Sequence, residues 1–427
     1  MLRVRLTQAR PGMSLAMPVF HPERRGTVLL TQGVELDQPR IQRLREIHCQ
    51  EVWIRYPGLE EIGEYVCPEV IEAHHALTGF VGSSFDEVLH SAHAPLEFDG
   101  YKRGVSGVLE LLRDRPRARV YVQELIDFDR PLLRHAANVC MMSLLIGLKL
   151  DFYLVQQRPR LSASAAQDVV GLGVGGLLHD IGMLRLDAET LARWDKNHDE
   201  RDEGWQRHAE LGYSMVRGGV DPSASSVVLH HHQRYDGGGF PSLKSTSGET
   251  KDLSGSDIHV FARIVAVCDY FDRLRHSPDG PEGLMPVVRV LSEMREPDTA
   301  ARFDPMVMKA LVSVVPPYGP GTIVKLSDGR SACVVAWNPA EPCRPVVRIL
   351  PEFGGPNDRF VPLGDRNSDS INLARRPELH VAEVDGEDVS DANFGPSEPG
   401  EFDLDTIGRD ISNGVYIPPE ITEQDAA

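Results

Sequence analysis

No two cysteines of this chain stand at CxxC spacing. Its six, Cys49, Cys67, Cys140, Cys268, Cys333 and Cys343, are scattered over 427 residues. That argues against a zinc ribbon or a thioredoxin-type motif and leaves reduced thiols as the simpler reading. There is no basic patch, and the formal net charge is -18, so duplex nucleic acid is not an expected partner. Met1 to Gly12 has no apolar core of the kind a signal peptide needs. The strongest apolar run, Val139 to Leu150, is too short to cross a bilayer and reads as a core helix. The expectation is a cytoplasmic protein without a membrane span. No repeat of fixed period is visible. Strands do not alternate with helices, which argues against a doubly wound sheet.

What is present is a globular composition, 41% hydrophobic and 25% charged, in a chain long enough for two or three domains. Residues 383–427 hold thirteen acids against Arg409 as the one base, so they carry -12 of the -18. Such a segment, rich in charge, Pro and Gly, is expected to be disordered. Residues 1–60 read as a small α+β module. Within it, "GTVLLTQGVEL" is a candidate hairpin with Gly33 in the turn, and "QPRIQRLREIHCQEVWI" is a helix followed by a strand. Residues 61–100 read as a helical connection and 101–316 as a helical domain. Residues 317–383 form a small β module with Asp328-Gly329 at a turn, and 384–427 form the acidic tail.

The chemistry is concentrated in His135, the pair His179-Asp180, His208, the pair His231-His232, and Asp269. Imidazoles suit transition metals, and a carboxylate can bridge two ions. Two divalent ions about 3.5–4 Å apart activate water and clamp a phosphoryl group, so the set points to a metal-dependent phosphohydrolase. His179-Asp180 ends an apolar helix. Adjacent helical residues diverge by about 100°, so both reach one ion only near a helix end or in a wide site. "HHHQRYDGGGFP" (230–241) places three histidines before a glycine-rich turn, with His230 read as a surface residue. Asp269 lies on an apolar helix where an unpartnered carboxylate is costly, and Asp272, three residues on, is the rival ligand. "GLGVGG" (171–176) matches the dinucleotide fingerprint, but no strand precedes it, and close helix packing explains its small residues better.

In order, "HAANV", "LLHDIG", "HHxxxDGxGFP", "ARIVAVxDxFDRL" and "FDP" run through residues 125–310, and together they resemble the HD-GYP family of HD-domain phosphohydrolases. The resemblance implies a mainly α fold, a helical HD-domain bundle flanked by a small N-terminal α+β module and a small C-terminal β module. It places metal ligands at His135, His179, Asp180, His208, His231, His232 and Asp269, with Asp180 as the bridging carboxylate and Asp180 and His179 as the catalytic pair. It implies two divalent ions, Fe or Mn first, with Zn or Ni as alternatives. The implied reaction converts cyclic di-GMP to linear pGpG or GMP through a metal-bridging hydroxide. The implied partners are the cyclic dinucleotide, a GGDEF-type or other signalling protein, and a second copy in a homodimer.

The chain departs from the family pattern at several points. Met183 stands where the family usually has a phosphate-binding lysine, and Arg185 is the candidate replacement. Asp236 and Gly237 are further candidates for substrate contact. Gln233 replaces a glutamate expected to support the ligand histidines, and Phe240 replaces the signature tyrosine. Pro131 occupies the place of an acidic third-metal ligand. "RHSPDGPEGLMP" replaces an arginine-rich segment. These departures keep two alternatives open: a catalytically weak or inactive metal-containing nucleotide receptor or scaffold, and an HD hydrolase of another nucleotide.

Overall fold

A computed structural model describes residues 1–21, 27–47, 49, 51–90, 96–118, 120, 130–244, 250–276, 284–351 and 370–412. The N-terminal part contains β1 (Leu2–Arg5), β2 (Val19–Phe20), β3 (Val28–Leu30), α1 (Gln38–Glu46) and β4 (Glu51–Ile54). β1 and β4 pair antiparallel with Leu2 opposite Ile54. Asp37 caps α1 by accepting from the Arg40 amide at 2.8 Å, and the helix buries Ile41 and Leu44. The hairpin expected around Gly33 is not formed that way. β3 pairs with the upstream β2, while Gly33, at φ 87°, donates its amide to the Leu15 carbonyl at 2.8 Å.

The helical body follows as α2 (Pro68–His90), α3 (Phe98–Asp114), α4 (Pro131–Lys149), α5 (Asp151–Gln157), α6 (Ala163–Ala166) and α7 (Val170–Leu178). It continues as α8 (Ala188–Asn197), α9 (Glu203–Val216), α10 (Pro222–His230), a short ribbon of β5 (Leu243–Lys244) and β6 (Thr250–Lys251), and α11 (Val260–Arg275). α12 (Val287–Met294), α13 (Pro297–Ala300) and α14 (Pro305–Val314) complete it. α4 has the length and apolarity of a membrane span, yet Val139, Cys140, Met142, Leu144, Leu145 and Ile146 are buried in the helical core. α7 can cross it closely because its face is glycine. A Cβ on Gly173 would lie 2.6 Å from Val105, one on Gly175 2.7 Å from Val227, and one on Gly176 3.3 Å from the Cys140 backbone. The fingerprint-like "GLGVGG" is therefore a packing surface. Residues 61–100, expected as a connection, give Leu77, Val81 and Phe85 of α2 to the main core.

β7 (Ile323–Leu326), β8 (Ser331–Ala336), β9 (Val346–Ile349), β10 (Ile371–Asn372), β11 (Val381–Val384) and β12 (Glu387–Asp388) form one antiparallel sheet in the order β10-β9-β8-β7-β11-β12. Gly329, at φ 87°, lies in the β7–β8 turn. The N-terminal core does not stand alone: Cys333, Val335 and Leu350 of the C-terminal sheet belong to it, and Arg348 pairs with Glu61 at 2.7 Å. The tail corrects an expectation. Residues 384–412 are structured, ending in α15 (Leu404–Ser412), and Phe402, Leu404 and Ile407 join the helical core. The acidic residues lie on the outer side of an amphipathic helix, so net charge concealed an apolar stripe. Residues 413–427 lie outside the described residues, as does most of "RHSPDGPEGLMP".

Three histidines away from the site are held neutral by burial. His74 donates from Nε2–H to the Ala137 carbonyl (3.0 Å) between α2 and α4, His75 stacks on Phe20, and His259 caps α11. Burial lowers each pKa to about 4. In the unfolded chain they take up protons near the ordinary value, about 6.5. Stability is therefore fully present above that value and declines as pH falls towards 4. The urea midpoint of metal-free protein should drop across this window, and less steeply in a His74→Gln variant.

Candidate metal centre

Helix ends build the site. Pro131 opens α4 and sets His135 just past its first turn. α7 stops at Leu178, His179 keeps helical angles as its C-cap, and Asp180 leaves them at φ -99°, ψ 11° before a 3-10 turn over Ile181–Arg185. This break lets neighbouring residues reach the same space. Gly182 in that turn has no room for a side chain, because a Cβ would sit 1.9 Å from the His208 carbonyl oxygen. The bare backbone brings α9 and His208 against Asp180. α10 ends at His230, so that His231 is its C-cap and His232 follows. α11 supplies Asp269 and Asp272.

Seven side chains converge as two groups, His135, His179 and Asp269 in one, and Asp180, His208, His231 and His232 in the other. Asp180 lies between them. Its Oδ1 is 3.3 Å from His208 Nε2 and 3.5 Å from His231 Nε2. Its Oδ2 is 3.6 Å from His179 Nε2 and 3.7 Å from His135 Nε2. The Nδ1 atoms of His179, His208 and His231 each meet a backbone carbonyl three residues earlier, at 2.7, 2.7 and 3.0 Å. Only Nδ1–H can donate there, so the Nε2 lone pairs face inward. Those lone pairs crowd: His135 to His179 is 3.1 Å, His208 to His231 3.3 Å and His232 to His208 3.1 Å. Asp180 Oδ1 is buried with no hydrogen-bond partner. A cluster of inward lone pairs around an orphaned carboxylate oxygen fits divalent cations and little else.

The electrostatics agree. Burial, only partly offset by Asp180, lowers His179 and His208 to about 4, and burial also holds His232 well below its ordinary value. These rings are neutral at pH 7, as ligands must be. His135 is the exception. Burial works against its charged form, but hydrogen bonds to Asp269 and Asp272 outweigh it and raise the pKa to about 10. A metal would replace that proton. Burial would raise Asp180, yet the surrounding histidines hold it well below the usual carboxylate range.

Asp272 and Asp269 divide the work left open by their spacing. Asp272 accepts from His135 Nδ1 at 2.8 Å and from Asn138 at 2.8 Å, so it orients a histidine. Asp269 Oδ1 lies 3.0 Å from His135 Nε2 on the inner side. Arg273, part of the "FDRL" stretch but not singled out in the sequence as a site residue, holds Asp269 Oδ2 at 2.7 Å and Glu200 at 3.1 Å. Arg302 grips Glu200 from the other side at 3.0 Å. Trp205 and Phe240 pack on His208 and His232. Aromatic periodicity on α9 was the available signal for Trp205. None existed for Glu200, which lies in a loop.

Two clefts meet at this centre. One, about 770 Å³, is lined by Arg201, Arg234, Arg302 and Gly239 among others, and the second, about 760 Å³, by Leu132, Met183, Leu184, Leu191 and Trp194. His232, Asp269 and Arg273 line both. Four expectations need correction. Arg185 lines neither cleft, while Met183, at the place of the expected lysine, lines the second. Asp236 and Gly237 line neither: Asp236 braces Arg234 at 2.9 Å, and Gly237, at φ 90°, closes a turn onto the Arg234 carbonyl. Gln233 supports no ligand histidine. It donates to the Pro241 carbonyl at 2.6 Å and so ties down the glycine-rich loop. His230 is half-buried beside Ser226 rather than at the surface.

Residues 160–307 match the model of a family described as "HD domain". A cyclic di-GMP phosphodiesterase of Pseudomonas aeruginosa is 28% identical over 390 residues, which is 82% of this chain and 84% of that protein. A cyclic di-GMP phosphodiesterase response regulator of Xanthomonas campestris is 33% identical over 100 residues, 23% of this chain and 24% of the relative. A 3'3'-cGAMP-specific phosphodiesterase of Vibrio cholerae is 31% identical over 144 residues, 32% of this chain and 30% of the relative. Among solved structures, an HDG"Y"P protein from Bdellovibrio bacteriovorus aligns with TM-score 0.39 at 15% identity, covering 73% of this chain and 97% of that one.

Two outcomes follow from the geometry. Asp272→Asn should weaken metal binding about 10–100-fold, as loss of an orienting carboxylate does, measured by competition with a chelating dye. Gln233→Glu should lower stability by about 1–3 kcal/mol, because a carboxylate cannot donate to the buried Pro241 carbonyl; urea unfolding followed by circular dichroism reads this directly.

Proposed function

We propose that the chain is a divergent HD-GYP member of the HD-domain phosphohydrolases and a dinuclear metal phosphodiesterase that opens cyclic di-GMP to linear pGpG or GMP. The observation that carries this reading is Asp180, whose two oxygens address two separate clusters of inward-facing donors. The likeness over most of its length to a named cyclic di-GMP phosphodiesterase supports the substrate.

On this reading His135, His179 and Asp269 would hold one ion and His208, His231 and His232 the other, with Asp180 facing both groups. Bound there, two divalent ions would activate water and neutralise phosphoryl charge. Every other task falls to the chain. The carbonyls of Gly176, Trp205 and Val228 keep three imidazoles in the Nδ1–H tautomer. Asp272 turns His135. Arg273 holds Asp269 in place and adds positive charge where a phosphoryl group would lie. Trp205 and Phe240 wall the histidines off from bulk water, which strengthens each electrostatic contact. The catalytic roles of Asp180 and His179 are to hold the reacting centre and set its charge.

A second reading, a metal-containing nucleotide receptor without turnover, draws on Met183, which presents a thioether to the apolar cleft where a cation was expected. Anaerobically purified protein loaded with Fe or Mn and given cyclic di-GMP separates the two. Linear pGpG or GMP on chromatography, absent with Asp180→Ala, is the expected result. Binding of cyclic di-GMP without product would establish the receptor instead.

A further inference from the structure

We infer that Arg134 is the substrate-binding residue for the second phosphate of a cyclic dinucleotide, the one not undergoing cleavage. This rests on the phosphodiesterase reading above and adds a specificity residue to it.

Arg134 lines the apolar cleft next to His135, among Leu89, Leu132 and Leu274. Three other arginines near the centre are committed. Arg273 pairs with Asp269 and Glu200, Arg302 with Glu200, and Arg234 with Asp236. Arg134 forms no ion pair among the described residues, and its Nε is buried with no hydrogen-bond partner. A half-buried guanidinium against leucine side chains loses water without gaining an acceptor, and such an arrangement is costly unless a ligand supplies the missing charge. Arginine offers a planar fork suited to phosphate.

The geometry also says which phosphate. Arg134 precedes a residue of the metal cluster on α4, but neighbouring helical side chains point about 100° apart. His135 faces Asp180 and Asp269, whereas Arg134 lines the cleft and forms no ion pair with that cluster among the described residues. The cleft thus has two anion-attracting ends, the metal cluster and Arg134, joined by an apolar wall of Leu and Met side chains and Trp194. A cyclic dinucleotide carries two phosphodiesters and two bases, and matches that alternation of charge and apolar surface. A simple diester matches one end only.

The test compares two substrates. With metal-loaded enzyme, Arg134→Met should raise KM for cyclic di-GMP by about tenfold or more, the worth of a charge-assisted hydrogen bond, with kcat nearly unchanged. KM for bis(p-nitrophenyl) phosphate, which has a single phosphate, should not move. Arg134→Lys should recover part of the lost affinity. Thermal unfolding of Arg134→Met should match or exceed wild type, because no internal partner is orphaned. Unchanged KM for cyclic di-GMP in Arg134→Met, or an equal rise for both substrates, overturns the assignment while leaving the phosphodiesterase reading intact. Wild-type protein that neither hydrolyses nor binds cyclic di-GMP overturns that reading and the role of Arg134 with it.

Discussion

The burial of Asp180 governs this molecule. A carboxylate enclosed by protein, with one oxygen lacking any hydrogen-bond partner, is tolerable only where positive charge surrounds it. Burial holds His179, His208 and His232 in their neutral form, and the positive charge near Asp180 comes from His135 and Arg273, a balance that bound cations would take over. The need for cations is thus written into the solvation of one side chain. Loss of the cations would leave an acid, several crowded lone pairs and a protonated His135 in one enclosed space.

Everything around Asp180 serves to make that enclosure possible. α7 ends where the pair must diverge, and the 3-10 turn after it runs against α9 through the bare backbone of Gly182. The glycine face of α7 lets it lie on α4, which brings His135 within reach of His179. Ligands on regular helices would require wide spacing. Ligands at helix ends can sit side by side, because the chain changes direction between them.

The helical body was legible from apolar periodicity, and the seven clustered residues from the order of motifs that resembles the HD-GYP family; periodicity alone would leave His135 and His208 as ordinary helix histidines. Less legible was the division between Asp269 and Asp272. Both lie on nearly the same face of α11, and only the position of α4 decides which one meets His135 Nδ1. Arg185 was chosen for its nearness along the chain, but a 3-10 turn carries it away from the clefts. Gln233 was read as a weakened support for histidines, yet backbone carbonyls do that work and the amide holds a loop. The apolar stripe of α15 was hidden by the acids around it. Long-range partners such as Glu200 for Arg273, or the C-terminal sheet for the N-terminal core, leave no local trace.

That last pairing bears on how the chain is made. Leu2, Val4 and Ile54 share a core with Cys333, Val335 and Leu350, so one segment is completed by another that is synthesised much later. At a synthesis rate of about 5–20 residues per second, the delay is on the order of tens of seconds. During it the helical body can fold on its own contacts while an unfinished apolar face waits beside it. Contacts between segments so far apart in sequence are of the kind that forms slowly, because loop-closure entropy must be met before they form.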